Sequence, residues 1–338
     1  MQHLFIIGNG FDLAHGLKTS YNSFIEDYLL KTTIDTGLIT TKYNRNPNYY
    51  EITYKLGINK SIYTKNKFLA ELLYRYNKNK KNNVNWVDIE RYYFECLTRN
   101  NEDITRLNTE FKILKNELEK YLTDINDKKL DPTLYHFFDT FSKEKSDEIT
   151  VLNFNYTNTF ERLYDGIFNQ TTIVNIHGVL NKKDNPIVFG YAPTDDETMN
   201  LIDQENNELL KNIKKYYYKR TSSETVLNSF LSSYDKNTNV HILGHSCGVS
   251  DRNILNTIST HTLVGETSIM YYNNYDNYFD TLVNIDRIVG RNKHYGIMTN
   301  FDKCIRIPQY NDSHSKNIDT NKMIEDLLVT KPFEELSF

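Results

Sequence analysis

A short apolar run, Leu4-Phe5-Ile6-Ile7, breaks at once into Gly8-Asn9-Gly10-Phe11-Asp12-Leu13-Ala14-His15-Gly16. A buried strand that ends in a glycine-rich turn predicts an α/β fold whose first strand hands over to a helix. Glycine accepts positive φ and lets a ligand approach bare N–H groups, so the turn suits a phosphate or nucleotide cradle. Open α/β sheets bind nucleotides at the carboxyl ends of their strands. The spacing is not the dinucleotide fingerprint G-x-G-x-x-G, because the glycine after Gly10 is Gly16. A lone G-x-G is equally what a tight turn that binds nothing looks like.

Further strand candidates are short and β-branched or aromatic: Ile149–Phe154, Thr172–Ile176, Ile187–Phe189, Val240–Leu243 and Ile269–Tyr272. All but the last run into Gly, Asn or His, the polar ends that an α/β protein uses for chemistry. Between the first two strands, Tyr21 to Ser146 reads mainly as helix. Phe24, Tyr28 and Leu29, then Phe111, Leu114, Leu118 and Leu122, recur at helical spacing. The Asn-rich interval Tyr43–Tyr50 and the basic stretch Lys78–Asn83 read as breaks. The expected fold is a Rossmann-type, mostly parallel sheet with large helical insertions. Residues 1–20 and 147–310 would form the core, 21–146 a helical insertion, 195–237 a helical lid or cap, and 311–338 a tail with a short helix at Met323–Leu328.

With 338 residues the chain can bury a large core, and its net charge of -4 gives no global basic field for nucleic acid. The run from Arg75 to Lys81 reads as a solvated loop. No stretch reaches the ~18 apolar residues of a membrane helix. The N-terminus enters a strand with no signal-peptide pattern. Cys96, Cys247 and Cys304 form no C-x-x-C pair. A reduced, cytoplasmic setting without a bound metal is the expectation.

Four other motifs bear on chemistry. Val151 to Glu161 is a strand that ends in Asn153, Asn155 and Asn158, amides able to bind ribose, orient a water or cap a helix; Asn158 and Thr159 are candidate caps. Asn175-Ile176-His177-Gly178 delivers His177 to the same sheet edge, as a general base or as a satisfied structural histidine. Gly244-His245-Ser246-Cys247-Gly248 matches the nucleophile elbow G-x-S-x-G, with Asp286 and His314 downstream in hydrolase order. An elbow should enter a helix directly, whereas here Val249 to Asn253 intervene and Ser250 looks like an N-cap. That segment therefore also reads as a phosphate- or ribose-holding loop. In Trp86-Val87-Asp88-Ile89-Glu90, core packing with a solvated face is favoured over a carboxylate that reaches a pocket.

The set of motifs can be placed. Gly8 to Tyr21 resembles the opening of the bacteriophage abortive-infection AbiH family, and Trp86–Glu90, Asn153–Glu161, Ile176–Gly178 and Gly244–Asp251 follow in the order expected for it. That family in turn resembles, distantly, the sirtuin-type NAD-binding fold. The resemblance implies Asn155 and His177 as catalytic residues. It implies Gly8, Asn9, Gly10, Phe11, Asp12, Gly178, Gly244, His245, Ser246 and Asp251 as nucleotide-binding residues. Two departures stand out: Thr157 replaces an Asp of the nicotinamide pocket, and the zinc-binding cysteine pairs are missing, which argues against a protein deacetylase. The implied activity is antiphage defence by hydrolysis of the N-glycosidic bond of NAD or a related nucleotide. In that scheme the amides of Gly8 to Gly10 hold the pyrophosphate, Asn155 orients ribose or water, His177 takes a proton, and Ser246 binds ribose or phosphate. The alternatives are a serine hydrolase using Ser246, His314 and Asp286, and a nucleotide-binding sensor without catalysis. A homo-oligomer or a phage-derived trigger fits any of these.

Overall fold

The computed structural model describes residues 2–30, 39–40, 49–56, 58–78, 85–99, 102–144, 148–232, 238–290 and 297–310. The strands are β1 (Gln2–Ile7), β2 (Tyr50–Leu56), β3 (Ile58–Thr64), β4 (Glu148–Asn153), β5 (Gln170–Asn175), β6 (Thr238–Leu243), β7 (Val264–Met270) and β8 (Ile297–Met298). Six of them form one sheet in the order β5-β4-β1-β6-β7-β8, every neighbouring pair parallel. Counted within this sheet alone, the order is 3-2-1-4-5-6, the arrangement of dinucleotide-binding sheets. The chain leaves β1 toward β4 and β5, then crosses back to β6 on the other side of β1. A crevice opens at the carboxyl ends of β1 and β6, where that direction reverses.

β1 lies in the middle, and its apolar run is continuous because helices cover both faces of a parallel sheet. Leu4 and Ile6 point into one layer with Val240, Ile242, Ile254, Ile258 and Ile285. Phe5 and Ile7 point into the other with Phe137, Phe138, Phe141 and Phe160. Alternation along one strand thus feeds two cores. The helices Arg252–Ser259 and Tyr275–Val289 contribute to the first layer, and Tyr135–Glu144 and Thr159–Tyr164 to the second.

A third core belongs to the segment after β1. Its longest helices are Lys67–Lys78, Trp86–Leu97 and Ile104–Asn126. Phe111, Leu114, Leu118 and Leu122, the spaced apolar residues of the last, are all buried there. The Asp103 carboxylate caps this helix by accepting the Arg106 N–H at 3.0 Å. The segment is not all helix, however. β2 and β3 form an antiparallel hairpin, paired from Tyr50↔Thr64 to Leu56↔Ile58. Their β-branched and aromatic residues had been masked in the sequence by the Asn- and Lys-rich composition around them.

Ile187–Phe189 is not a strand. Val188 donates its N–H to the His177 carbonyl at 2.7 Å, a loop-to-loop bond, and Phe189 leaves the sheet to stack on Phe111 at 5.1 Å. Val188 thus joins the first core layer and Phe189 the third core, rather than one sheet. Of residues 195–237, Asp195–Ile202, Lys214–Tyr218 and Ser223–Leu231 are helices. Leu201, Leu209 and Ile213 join the third core. The helix expected at Met323–Leu328, residue His314 and the basic stretch beyond Lys78 lie outside the described residues. Among those residues, no helix is long and apolar enough to cross a membrane.

Candidate active site

A cavity of about 290 Å³ lies at the crevice, at the low end of small-molecule sites. Gly8, Asn9, Gly10, Asp12, Asn155, His177, Gly244, His245, Ser246 and Asp251 all line it. Asn155 and His177 therefore meet beside the first glycine turn. Phe11 and Gly178 do not reach the wall. Phe11 is fully buried in the second core layer. Gly178, at φ +81°, backs onto Pro186, whose carbonyl oxygen would lie 2.2 Å from a Cβ.

The glycines answer to packing before they answer to a ligand. The turn after β1 and the turn after β6 press together: Gly8 donates its N–H to the Leu243 carbonyl at 3.2 Å and Gly10 to the Gly244 carbonyl at 2.8 Å. A Cβ on Gly10 would sit 2.8 Å from Gly244 Cα, and one on Gly244, at φ +65°, 2.3 Å from Phe11 N. Two of the amides expected to cradle a pyrophosphate are thus spent on the protein itself.

The amides after β4 divide their labour. Asn153 braces the turn, its Nδ2 donating to Thr157 O at 3.1 Å and Asn175 Oδ1 at 2.9 Å. Asn155 donates its backbone N–H to Asn153 Oδ1 and its Nδ2 to Gly8 O at 3.0 Å, which ties the ends of β4 and β1 together. Its carboxamide oxygen accepts no hydrogen bond among the described residues. Asn158 stands at the helix start but makes no capping bond with its side chain. Thr159 does not cap either: its hydroxyl donates to Asp12 Oδ1 at 2.7 Å, while Thr157 donates to Asp12 Oδ2 at 2.6 Å. Asp12 is buried, and burial pushes its pKa up to about 6 against those two donors.

Beyond Asn155 lies a buried ionic cluster drawn from four parts of the chain. His177 Nδ1 donates to the Phe154 carbonyl at 3.0 Å. Its Nε2 is 3.0 Å from Asp251 Oδ1 and 3.3 Å from the Tyr218 hydroxyl. Burial, and then the nearby Lys214 charge, hold the His177 pKa below its ordinary value. His245 Nδ1 accepts the Cys247 N–H at 3.0 Å, so Nε2 carries the hydrogen and faces Asp251 Oδ2 at 3.4 Å.

Lys214 stands at the centre. Its ammonium is 2.7 Å from Asp251 and 3.0 Å from Glu90, with the side chain 1% exposed. Burial works against its charge, and the two carboxylates more than compensate, so its pKa is raised. Burial likewise opposes ionisation of Asp251, but Lys214 and His177 prevail and hold that carboxyl well below the usual range. Glu90 goes the other way: burial outweighs Lys214 and pushes it up to about 7. Lys214 fills the place between Glu90 and Asp251 that a cation would take, and no metal-binding cluster of His, Cys, Asp or Glu occurs among the described residues.

Sequence reasoning missed Lys214 altogether. It sits in Lys211-Asn212-Ile213-Lys214-Lys215, where nothing marks one lysine as buried. For Glu90 the favoured solvated-face reading is overturned. The helix Trp86–Leu97 starts where the Asp88 carboxylate accepts the Asn85 N–H at 2.7 Å, and Trp86 lines the cavity with its Nε1 donating to Thr19 O at 3.0 Å. One turn on, Glu90 turns inward. Ser250 is no N-cap; it is buried in a single 3₁₀ turn, Val249–Asp251, that precedes the helix Arg252–Ser259.

That turn also separates the loop from a nucleophile elbow. The strained residue is Cys247, at φ +50°, not Ser246. Ser246 is exposed, and no histidine hydrogen-bonds its hydroxyl among the described residues. Asp286 lies on the exposed side of the helix Tyr275–Val289.

No curated protein and no solved structure matches the chain. Residues 4–273 match the family model described as Bacteriophage abortive infection AbiH, a span that runs from β1 past β7 and takes in the whole cavity. The chain belongs to the AbiH family of bacteriophage abortive infection proteins.

Proposed function

We propose that this protein serves abortive infection by hydrolysing the N-glycosidic bond of NAD or a related nucleotide. One observation carries the reading: Asn155, His177 and the buried carboxylates Asp12, Glu90 and Asp251 converge on one cavity at the reversal point of a 3-2-1-4-5-6 sheet. Loss of nicotinamide leaves an oxocarbenium-like sugar, and buried carboxylates stabilise developing positive charge. The open carboxamide oxygen of Asn155 orients the ribose or the attacking water. His177, fixed between Phe154 and Asp251, walls the ribose site. With the Gly8 and Gly10 amides engaged, the pyrophosphate is left to the rim, where Asn9 and the exposed Ser246 stand. NAD enters as substrate, and the reading places the protein in the cytoplasm.

The test is nicotinamide release from labelled NAD in extracts of phage-challenged cells expressing the full chain. Asn155→Ala is expected to lower it by at least about a hundredfold, the scale of a lost transition-state contact, and His177→Ala to lower it by opening the wall of the ribose site. Activity that survives both substitutions would remove these roles. Stoichiometric NAD binding without turnover would favour a sensor instead.

A further inference from the structure

We infer that Glu90 is the acid–base group of this cavity, taking the proton from the water that attacks the ribose carbon, with Lys214 as its counter-ion. The inference rests on the NAD-hydrolase reading above and assigns the proton step within it. Water's oxygen bonds to the anomeric carbon as one of its protons passes to the Glu90 carboxylate. The carbon–nitrogen bond breaks with its electron pair returning to the pyridinium ring, which leaves as neutral nicotinamide. Glu90 then returns the proton to solvent.

Geometry leaves little else to do this. Both nitrogens of His177 are engaged inside the protein, Nδ1 by a carbonyl and Nε2 by Asp251 and Tyr218. Asp251 is surrounded by Lys214, His177 and His245, which stabilise its ionised form and make it a poor base. Tyr156 donates its hydroxyl to Val188 O at 3.0 Å, and burial raises Tyr156 and Tyr218 well above ordinary phenols. Each oxygen of Asp12 accepts a threonine hydroxyl, and among the described residues no cation stands beside it to sustain its ionised form.

Glu90 meets fewer charges than Asp251 and, unlike Asp12, has a cation beside it: one ammonium shared between its two oxygens. It lines the cavity, its carboxylate accepts the Gly190 N–H at 3.2 Å, and Lys214 lies beside it at 3.0 Å. The ionisable groups that face it are Lys214 and Tyr218 from one helix, Asp251 from the 3₁₀ turn and Tyr156 from the loop after β4. Burial sets it near neutrality, where a general base works best.

The experiment is the pH profile of kcat/KM for nicotinamide release in the same extracts, between about pH 5 and pH 9. Wild type should lose about tenfold per pH unit below about pH 7. Glu90→Gln should fall about 10²- to 10⁴-fold and run flat with pH. The Gln oxygen can still accept from Gly190. Glu90→Asp should restore the acid limb. A Glu90→Gln enzyme that keeps wild-type rate and acid limb overturns the assignment and leaves the hydrolase reading standing. A wild type that releases no nicotinamide at any pH overturns both. Should Glu90→Gln fail to fold, Glu90→Asp decides: the same rate and the same limb with the carboxylate withdrawn by one methylene overturns the assignment.

Discussion

Replacing Lys214 by Met tests the ionic cluster as a physical object, independent of any substrate. The side chain is 1% exposed and its ammonium is 2.7 Å from Asp251 and 3.0 Å from Glu90. Breaking a buried ion pair by removing one partner costs about 3–5 kcal/mol, because the other charge stays buried without compensation. Asp251 retains both histidines, so the low end applies while Glu90 is protonated. The pH dependence follows from linkage. A carboxyl whose folded pKa is raised binds its proton in the native state after the unfolded chain has lost it, so stability falls as pH rises through that window. In wild type the fall attributable to Glu90 stops at about pH 7. Without Lys214 the Glu90 pKa climbs further, and the loss continues at about 1.4 kcal/mol per pH unit. Urea unfolding followed by fluorescence of Trp86, the chain's single tryptophan, and by circular dichroism measures both effects. Lys214→Met should lose about 3 kcal/mol near pH 6 and more near pH 8. A loss under about 1 kcal/mol, or an equal loss at both pH values, would refute the cluster as described.

Two further predictions concern the glycine turn. Gly244→Ala adds a Cβ 2.3 Å from Phe11 N at φ +65°, whereas Gly166→Ala, at φ +87°, meets nothing within 4 Å. Urea denaturation should show a loss near 1 kcal/mol for Gly166→Ala, from backbone strain alone, and at least about 2 kcal/mol more for Gly244→Ala; equal losses would contradict the close approach of the two turns. Asp12 and His15 titrate with opposite effects. Asp12, raised to about 6, makes the fold less stable as pH rises from about 4 to 6; His15, lowered to about 4 by burial, makes it less stable as pH falls from about 6.5 to 4. Each is worth about 3 kcal/mol with opposite sign, so between about pH 6 and pH 4 Asp12→Asn should lose about 3 kcal/mol more stability than wild type does.

Much of the site was legible because its residues stand at strand ends. An apolar run that stops at Asn or His puts that side chain at the sheet's carboxyl edge, so Asn155, His177 and His245 could be placed on one rim before any contact was known. Glu90 and Lys214 were not legible in that way. Amphipathic spacing assigns a charged residue to the solvent face of a helix; Asp88, Arg91 and Glu95 of the helix Trp86–Leu97 do stand there, but Glu90 faces inward, onto Lys214 and the 3₁₀ turn Val249–Asp251 from far along the chain. The hairpin β2–β3 and the irregular path of Ile187–Phe189 were misread for a related reason: short apolar runs take their conformation from the surfaces that they cover.

What the chain decided by itself is local: where strands stop, which turns need glycine, which amides and imidazoles stand at the rim. Only the folded chain decided which of these groups stay available. It spent the Gly8 and Gly10 amides on the turn after β6, joined both nitrogens of His177 to protein partners, and set Lys214 between carboxylates that lie 124 and 37 residues away. Local pattern governs backbone conformation, which depends on near neighbours. The charge state and hydrogen-bond partners of a buried group depend on burial and on distances between remote segments, and those exist only once the sheet has assembled.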